Sequence, residues 1–336
     1  MQWLRSSFAN NKPTEDEDMK KKIVVVGSIN LDLVATVSHM PGIGETLMGE
    51  GFATYSGGKG ANQAVAASRL GAEVAMVGHL GNDLFAERLR HGLNEAGVNT
   101  EHVRQVDEPS GCAVILVIPQ GGNSIVVIPG ANSSLRPEHL EEHVELLRSA
   151  GVILAQLEVP LETVQRLGRL AAQLHIPFVL DPAPAQMLSA ELLQTVTWLT
   201  PNESETRSIL KDLNHPIADD TIDDDALPIV ASRILATGVR NIILKLGTRG
   251  IYLAGKDVPT SFIPTYQVQA VDTTAAGDAF NGGFAYALTQ GMEPLDAARF
   301  ACAVAAVSVT RVGAQPSMPT LSQVEELLNL TAQAAK

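Results

Sequence analysis

The chain has 336 residues, of which 45% are hydrophobic and 18% are charged, and its formal net charge is −13. This composition is typical of a globular protein with a sizeable core, and it excludes a largely disordered chain. So acidic a chain is a poor match for nucleic acid or an anionic membrane surface, and neither is expected as a partner. The two cysteines, Cys112 and Cys302, are too few for a disulfide framework or a four-sulfur zinc site.

The first 21 residues differ from the rest of the chain. They are polar, lack apolar periodicity and carry four consecutive acidic residues at 15–18. This pattern predicts a leader that is disordered or not native to the protein. No apolar run reaches the roughly 20 residues that span a bilayer, and no secretory signal is recognisable, so we expect a cytoplasmic location.

Short β-branched runs alternate with longer helical patterns from residue 23 onward. The strand candidates are Ile23–Val26, Val74–Val77, Val152–Ala155, Phe178–Leu180 and Ile242–Lys245. The helical patterns between them include Ala61–Leu70, Leu84–Ala96, Pro160–Leu174 and Ala226–Ala236. The alternation predicts an α/β fold over about residues 22–330, a doubly wound and mostly parallel sheet with helices on both faces.

Two regions, at about 31–56 and 111–130, break this alternation. The first begins with a strand-like stretch at Leu31–Val37. The second reads as a hairpin whose strands, Cys112–Ile118 and Ser124–Ile128, are joined by a Gly-containing turn at 120–123. Hairpins inserted in a doubly wound sheet often form a separate small sheet over a cleft, so we predict a β-sheet lid built from both regions.

The segment from Asp272 to Asp278 (Asp-Thr-Thr-Ala-Ala-Gly-Asp) carries the clearest chemical signal. An extended stretch runs into small residues, and a helix is predicted to begin near Ala276. A helix start exposes unpaired N–H groups and the positive end of the helix dipole, and Ala-Ala-Gly lets an anion approach the backbone. Asp278 lies in that first turn, where it is either a general base beside an anion pocket or a residue that satisfies backbone donors.

Two further segments offer groups suited to a polyhydroxylated, phosphate-bearing ligand. Residues 56–63 (Ser-Gly-Gly-Lys-Gly-Ala-Asn-Gln) place glycines before an Ala-rich helix, with Lys59 and Asn62 as side-chain donors. Asn30 and Asp32 follow the first strand, two residues apart, and point the same way from an extended backbone. Taken alone, a tight turn explains either segment.

Several common motifs are absent or unconvincing. Gly60 follows Lys59, so there is no Walker A loop, and the glycines do not fit the dinucleotide pattern that a dehydrogenase requires. His139 to His143 matches a His-x-x-Glu-His metalloprotease pattern. The Glu-rich helix predicted to begin at Pro137 favours a solvated surface for it instead.

Together these segments resemble the ribokinase (PfkB) family of carbohydrate kinases over about residues 22–325. Both family signatures are present, at Gly57–Asn62 and Asp272–Asp278. The Gly-Ser-Ile-Asn-x-Asp segment, the Gly-Gly-Lys-Gly-Ala-Asn-Gln-Ala segment and Thr310–Ser317 are similar to the ribokinase branch in particular.

This resemblance implies ATP-dependent phosphorylation of D-ribose at O5, giving ribose 5-phosphate and ADP. Asp278 is then the catalytic base, and the backbone of Ala275, Ala276 and Gly277 forms the anion hole. The residues implied to bind the sugar, besides Asp278, are Asn30, Asp32, Gly58, Lys59, Gly60, Ala61, Asn62 and Glu158.

The resemblance also implies ligands for ATP, Mg²⁺ and K⁺. The nucleotide positions are Asn202, Lys245, Gly247, Thr248, Gly250, Gly277 and Cys302. Lys245 replaces a common Thr, and Cys302 replaces a His or Asn that often touches adenine. The K⁺ positions are Asp272, Thr274, Ser308, Arg311, Gly313 and Ser317.

Glu205 is implied to handle Mg²⁺ indirectly, as part of an Asn-x-x-Glu motif with Asn202. The two residues are three apart at a predicted helix start, so they share one face. A hard oxygen ligand suits Mg²⁺, often through water. On the residues alone, a helix cap formed by this pair is the default interpretation.

In this family lids can also pair between subunits, so the resemblance implies a homodimer. Three other functions remain open. The chain is alternatively a sibling kinase for deoxyribose, fructose or a nucleoside, a non-catalytic sugar-binding regulator, or a dehydrogenase on a similar sheet. A nucleoside would need an aromatic platform, which Asn30, Asp32 and Glu158 do not supply.

Overall fold

The computed structural model describes residues 22–118, 122–217 and 221–334. The predicted leader and positions 120 and 121 of the predicted hairpin turn lie outside the described residues. The strands are β1 Lys22–Val26, β2 Asn30–Thr36, β3 Gly51–Gly57, β4 Val74–Leu80, β5 Val98–Asn99, β6 Val103–Gln105, β7 Gly111–Val117, β8 Asn123–Ile128, β9 Ala150–Ala155, β10 Phe178–Leu180, β11 Trp198–Leu199, β12 Asn241–Lys245, β13 Ile251–Gly255 and β14 Ser261–Ile263.

The helices alternate with the strands of the larger sheet. They are α1 Lys59–Arg69, α2 Leu84–Glu95, α3 Pro137–Glu141, α4 Val144–Arg148, α5 Leu161–Leu174, α6 Ala190–Thr195, α7 Glu203–Asp212, α8 Leu227–Leu235, α9 Ala276–Thr289, α10 Pro294–Ser308 and α11 Leu321–Ala334. Short 3₁₀ segments lie at Gly130–Ser134, Asp224–Ala226, Gly247–Arg249 and Gln315–Ser317.

The larger sheet has the order β14-β13-β12-β11-β10-β9-β1-β4-β5, with β6 also paired to β4. The pairings from β12 through β5 are parallel, whereas β13 and β14 add an antiparallel edge. The doubly wound sheet predicted from the alternation is therefore confirmed. All five predicted strands and all four predicted helices are present, with ends shifted by no more than three residues.

The core has two layers, one on each face of this sheet. Along β1, Ile23 and Val25 belong to a cluster of buried residues that includes α1, α2, α9 and α10, while Val24 and Val26 belong to a second cluster that includes α5, α7 and α8. Alternate residues of a strand face opposite sides, so a strand covered on both sides must be apolar throughout. Residues Ile23 to Val26 of β1 are at most 1% exposed, as this arrangement requires.

The smaller sheet has four strands in the order β3-β2-β7-β8. Strands β2 and β7 are parallel, and the two outer pairings are antiparallel. Both regions that break the sequence alternation contribute to it, as predicted. Within the described ranges, no helix is both long and apolar enough to cross a membrane.

Candidate active site

A cavity of about 650 Å³ lies at the carboxyl ends of the parallel strands. Side chains that follow β9, β10, β11 and β12 line one wall, and β2, β7 and β8 of the smaller sheet contribute another. The starts of α1, α7 and α9 also point into it. Ligands of open α/β sheets bind at this edge, and three helix N-termini make it favourable for anions.

This cavity brings together most of the residues singled out from the sequence. They are Asn30, Asp32, Gly58, Lys59, Asn62, Glu158, Asn202, Glu205, Lys245, Gly247, Gly250, Thr274, Ala275, Ala276, Gly277, Asp278 and Cys302. The predicted positions that do not line it are Gly60, Ala61, Thr248, Asp272, Ser308, Arg311, Gly313 and Ser317.

Gly60 and Ala61 lie beneath the cavity wall. The Ala61 N–H donates to the Ser28 carbonyl oxygen at 2.9 Å, and a Cβ on Gly60 would come within 2.7 Å of the Gly27 carbonyl carbon. These two residues therefore hold α1 tightly against the end of β1, and they do not line the cavity. Thr248 is exposed beyond the cavity, on the turn between β12 and β13.

One carboxylate side chain, Glu158, and one amide side chain, Asn30, are fixed at one end of the cavity. Glu158 Oε2 accepts hydrogen bonds from Ser28 Oγ at 2.5 Å and from the Lys59 backbone N–H at 3.1 Å. Asn30 Nδ2 lies 3.4 Å from the same oxygen, and Asn30 Oδ1 accepts from Asn132 Nδ2 at 2.7 Å. This arrangement presents adjacent donors and acceptors, which suit vicinal hydroxyl groups.

Asp32 lies at the same end, next to the glycines that precede α1. A Cβ on Gly57 would come within 2.3 Å of Asp32 Oδ2, so a side chain there would displace the carboxylate. Gly58 has φ 87°, a left-handed conformation that favours glycine. Burial, together with the negative charges of Glu158 and Asp278, raises the pKa of Asp32 to about 7.

Asp278 is 4% exposed in the first turn of α9. Its Oδ2 accepts from Asn62 Nδ2 at 3.0 Å, and its Oδ1 accepts from Gln63 Nε2 at 3.1 Å. Burial raises the pKa of Asp278 to about 6, against the lowering effect of Lys59 and the two amide hydrogen bonds. The carboxylate is thus oriented by two amides and remains ionised at neutral pH, as a general base must be.

Lys59 supplies positive charge at the centre of the cavity. Burial alone would lower its pKa, but the carboxylates of Asp278, Asp181 and Glu158 outweigh burial and raise the pKa above its usual value. Lys59 therefore stays protonated, and it offsets part of the negative charge that these acids concentrate.

The start of α9 has the geometry of an anion site. Ala275 has φ 59°, and the chain then enters the helix at Ala276. First-turn N–H groups have no partner inside their own helix, and Gly277 has no side chain to cover them. Lys245 is the neighbour that a Cβ on Gly277 would meet, with Nζ at 3.3 Å.

Asn202 and Glu205 form a reciprocal cap at the start of α7. Asn202 Oδ1 accepts from the Glu205 N–H at 2.9 Å, and Glu205 Oε2 accepts from the Asn202 N–H at 2.8 Å. The capping interpretation is therefore correct, and both residues nevertheless line the cavity. Burial, then the charge of Asp181, raises the pKa of Glu205. Cys302 lines the cavity as a buried thiol, and burial raises its pKa to about 12.

Of the residues implied to bind K⁺, Thr274 lines the cavity and the others do not. Asp272 accepts from the Thr274 N–H at 2.9 Å and from the Gly313 N–H at 2.8 Å. Burial opposes ionisation of Asp272, but these hydrogen bonds outweigh it and lower its pKa. Ser308 and Ser317 donate their hydroxyls to the backbone oxygens of Ala305 and Ala314.

The other predicted K⁺ position, Arg311, points outward. Its guanidinium donates to Gln323 Oε1 at 3.1 Å, at the start of α11. Across the described residues, no group of three or more His, Cys, Asp or Glu side chains is arranged to hold a metal ion.

Sequence reasoning assigned no role to two side chains of this site. Asp181 follows β10 directly and lines the cavity, and Gln63 Nε2 donates to both Asp181 Oδ2 at 3.0 Å and Asp278 Oδ1 at 3.1 Å. Asp181 lies at the carboxyl end of a predicted strand, and this position could have identified it as a residue of the site. The role of Gln63 was not readable, because its partners are 118 and 215 residues away.

Comparison with known proteins identifies relatives over nearly the whole chain. The family model described as "pfkB family carbohydrate kinase" matches residues 20–321. The chain is 40% identical over 311 residues to the ribokinase of Bacillus subtilis, covering 92% of this chain and 100% of that protein.

Solved structures give the same result. The ribokinase of Thermotoga maritima superposes with a TM-score of 0.83 at 38% identity, covering 91% of this chain and 99% of that one. The ribokinase of Arabidopsis thaliana in complex with ribose and ATP superposes with a TM-score of 0.84 at 32% identity, covering 92% and 98%. By its family signature, its relatives and its fold, the chain belongs to the pfkB family of carbohydrate kinases.

Proposed function

We propose that this protein is an ATP-dependent ribose kinase, which transfers the terminal phosphoryl group of ATP to O5 of D-ribose and releases ADP. The observation that carries the proposal is the position of Asp278. It lies in one cavity between a polar pocket around Asn30 and Asp32 and the backbone at the start of α9. Relatives that span the whole chain, including a ribokinase solved with ribose and ATP, support it.

The sugar is held by side chains at the smaller-sheet end of the cavity. Asp32 and Glu158 accept hydrogen bonds from hydroxyl groups, while Asn30 and Asn62 each offer an amide. Glu158 and Asn30 are already fixed by their own hydrogen bonds, so little conformational freedom is lost when the sugar binds. This pre-organisation directs the acceptor hydroxyl toward Asp278.

Asp278 then accepts the proton of that hydroxyl as the oxygen attacks phosphorus. Its pKa of about 6 keeps it ionised at neutral pH, yet makes it more basic than an ordinary aspartate. Asn62 and Gln63 hold the carboxylate in place from its two oxygens. In phosphoryl transfer the protein contributes mainly position and charge, and this arrangement supplies both.

Negative charge that develops on the transferred group is met by the start of α9. The backbone N–H groups around Gly277 and the helix dipole stabilise it, and Lys59 adds a formal positive charge. The nucleotide would extend from there past Asn202 and the Gly247–Gly250 turn toward Cys302.

The cavity suits Mg²⁺ bound with the nucleotide. Its carboxylates outnumber its lysines, and Glu205 and Asp181 supply hard oxygen atoms near the phosphate end. Both Glu205 oxygens already accept hydrogen bonds from Asn202, which fits an indirect contact through water. When bound, Mg²⁺ would neutralise phosphate charge, and Glu205 would orient its water shell.

We also propose a K⁺ site formed by the segments 272–274 and 308–317. The ionised Asp272 ties these segments together through its bonds to Thr274 and Gly313, close behind the start of α9. The hydroxyls of Ser308 and Ser317 donate their hydrogens to backbone oxygens, so the lone pairs of the hydroxyl oxygens can coordinate a cation. A cation there would strengthen the positive field of the anion hole.

The smaller sheet is proposed to act as a lid and as a homodimer interface. Ala113, Ile115, Ile125 and Val127 face the cavity, where they would exclude water from the reaction. Alternate residues face away, and Val114, Val126 and Ile128 there are 39%, 60% and 40% exposed. An exposed apolar sheet face of this kind is typical of an interaction surface.

A cytoplasmic location is part of the proposal, because both cysteines are free thiols.

The deciding experiment is a coupled assay of ADP release with a panel of acceptors at fixed MgATP. We expect D-ribose to give the highest kcat/KM, ahead of 2-deoxyribose, fructose and nucleosides. A higher kcat/KM for one of those acceptors would reassign the substrate within the family. Tight ribose binding without ADP release would instead support a non-catalytic sugar-binding regulator.

A further inference from the structure

One fully buried amide close to the cavity has no partner for its oxygen. Gln156 directly follows β9 and does not line the cavity. Its Nε2 donates to Gln63 Oε1 at 2.6 Å, but its own Oε1 accepts no hydrogen bond from the described residues. An unpaired buried oxygen destabilises the folded state, and an apolar side chain of similar size would avoid that penalty. Stability alone therefore does not explain a glutamine at this position.

The hydrogen bonds of Gln63 show what the amide of Gln156 does. Gln63 is also fully buried, and its Nε2 donates to Asp181 Oδ2 at 3.0 Å and to Asp278 Oδ1 at 3.1 Å. Ionised carboxylates only accept hydrogen bonds, so the two N–H groups of Gln63 face them and its oxygen faces away. That buried oxygen needs a donor, and Nε2 of Gln156 supplies it. Every donor in this network therefore points toward the carboxylates.

The surroundings leave the two amides a single arrangement. Oε1 of Gln156 lies against Gly27, where an added Cβ would clash with it. Reversing the Gln156 amide would place its oxygen against the Gln63 oxygen, and reversing the Gln63 amide would place an oxygen between two carboxylates. The backbone of Gln63 is fixed as well, because a Cβ on Gly282 of α9 would come within 2.7 Å of its carbonyl oxygen.

Charged groups also act on the Asp278 carboxylate. Burial raises the pKa of Asp278, Lys59 of α1 lowers it, and Asp181, which follows β10, raises it. The negative charges of Asp278 and of Asp32, on β2, repel each other. Gln156 is uncharged, so replacing it with an apolar residue leaves all of these charges in place.

We infer that Gln156 is a positioning residue for phosphoryl transfer, which acts through Gln63 to hold the Asp278 carboxylate in place as the general base. A general base must lie within hydrogen-bond reach of the proton that it accepts. A displacement of about 1 Å caused by a distant substitution can slow a reaction by roughly 10²-fold. This inference rests on the proposed kinase function and adds to it a residue outside the cavity.

The first test is Gln156→Met, which keeps the length of the side chain and removes its N–H donors. Because Gln63 then lacks a partner for its oxygen, we expect kcat to fall roughly 5- to 50-fold, while the KM values for acceptor and ATP change by less than about twofold. Thr163→Val is the matched control. Thr163 is also fully buried, and its hydroxyl donates to the Leu135 carbonyl oxygen at 2.6 Å, away from the cavity. This control should lose stability and keep the wild-type kcat.

The second readout is the pH profile, which a merely structural role would not move. The hydrogen bond from Gln63 favours the ionised form of Asp278, so loosening it should raise the pKa of Asp278. In Gln156→Met, the acidic limb of kcat/KM should move upward by about half a pH unit or more. Carbon-13 NMR of labelled aspartate carboxyls follows the same titration without turnover, and Asp278→Asn identifies the signal.

A double-mutant cycle tests whether Gln156 acts through Gln63. Gln63→Met alone should lower kcat at least as much as Gln156→Met does, and the double variant should lose less than about twofold more. The double variant leaves no unpaired amide between the two positions, so it guards against a folding defect. The inference is overturned by losses that multiply in the double variant, by a Gln156→Met kcat within about twofold of the wild type, or by an unmoved Asp278 titration.

These measurements do not depend on which sugar is the natural acceptor, because the cycle can use the acceptor that gives the highest rate. A failure of the ribose assignment would appear in the acceptor panel. A failure of the Gln156 assignment would appear in the cycle and in the Asp278 titration, which needs no turnover. The two outcomes are therefore distinguishable.

Discussion

The side chains of Asn62 and Asp278 are joined by a 3.0 Å hydrogen bond although they lie 216 residues apart in the chain. Asn62 belongs to the glycine-rich start of α1, and Asp278 belongs to the first turn of α9. The two helices pack side by side, and a Cβ on Gly282 would come within 2.6 Å of Ala66 Cβ. This close packing brings the proposed sugar pocket and the proposed anion hole within reach of one carboxylate.

Replacing that carboxylate should slow catalysis by orders of magnitude. We expect Asp278→Ala to lower kcat by roughly 10²- to 10⁴-fold, the usual contribution of a general base, while ribose affinity stays within a few-fold. The coupled assay and calorimetry with ribose measure the two quantities. Asp296 is a matched control, since it is also a first-turn aspartate but pairs with Arg299 outside the cavity. Near-normal turnover in Asp278→Ala would show that the base is another group.

On the acidic limb of the pH–rate profile, the reaction should slow at a higher pH than an aspartate of ordinary pKa would cause. Asp278 must be ionised to accept a proton, and burial raises its pKa from 3.8 to about 6. The kcat/KM for ribose should therefore decline below about pH 6, by roughly tenfold per pH unit, because this ratio reports the pKa of the enzyme before the sugar binds. Asp181 contributes to the raised pKa, so Asp181→Asn should move the decline to lower pH. A profile that stays flat down to pH 4 would be incompatible with this assignment.

The space beside Gly57 should be needed for sugar binding. A Cβ at this position would lie 2.3 Å from Asp32 Oδ2, so Gly57→Ala must displace that carboxylate. We expect the KM for ribose to rise about 10-fold or more, with the KM for ATP nearly unchanged. Gly92 is the control, because its added Cβ would meet only Ser56 Oγ at 3.6 Å. A KM for ribose that stays at the wild-type value would contradict this role for the space beside Gly57.

Potassium should stimulate the reaction. We expect a several-fold higher rate in KCl than in NaCl of equal ionic strength, because a bound cation behind α9 strengthens the anion hole. Asp272→Ala breaks the link between Thr274 and Gly313 and should abolish the difference. Equal rates in the two salts with the unaltered protein would remove the proposed K⁺ site.

The outer face of the smaller sheet should mediate dimerisation. Val126 is 60% exposed on that face, and a lysine there would place a charge in the proposed interface. We expect Val126→Lys to be a monomer and the wild type a dimer by light scattering after gel filtration. Ile229, 56% exposed on α8, is the matched apolar control, and Ile229→Lys should remain dimeric. A wild-type monomer at micromolar concentration would refute the interface.

Local sequence patterns were sufficient for much of the architecture and for the two signature segments. Period-two and period-3.6 apolar patterns reflect backbone geometry within one element, so β1, β9, α1 and α5 were recognisable without any tertiary contact. The helix start at Ala276 was also predicted from local sequence, because small residues follow an extended stretch there. The antiparallel edge formed by β13 and β14 was missed, since a short antiparallel addition leaves no strong periodic signal.

Only the tertiary structure decided how the charged groups of the cavity are connected. Gln63 bonds both Asp181 and Asp278, and Lys245 pairs with Asp181 across 64 residues of chain. These contacts depend on which strand ends become neighbours in the sheet and on how closely α1 packs against α9. A single segment does not encode that proximity, because it arises from the joint burial of both faces of the sheet.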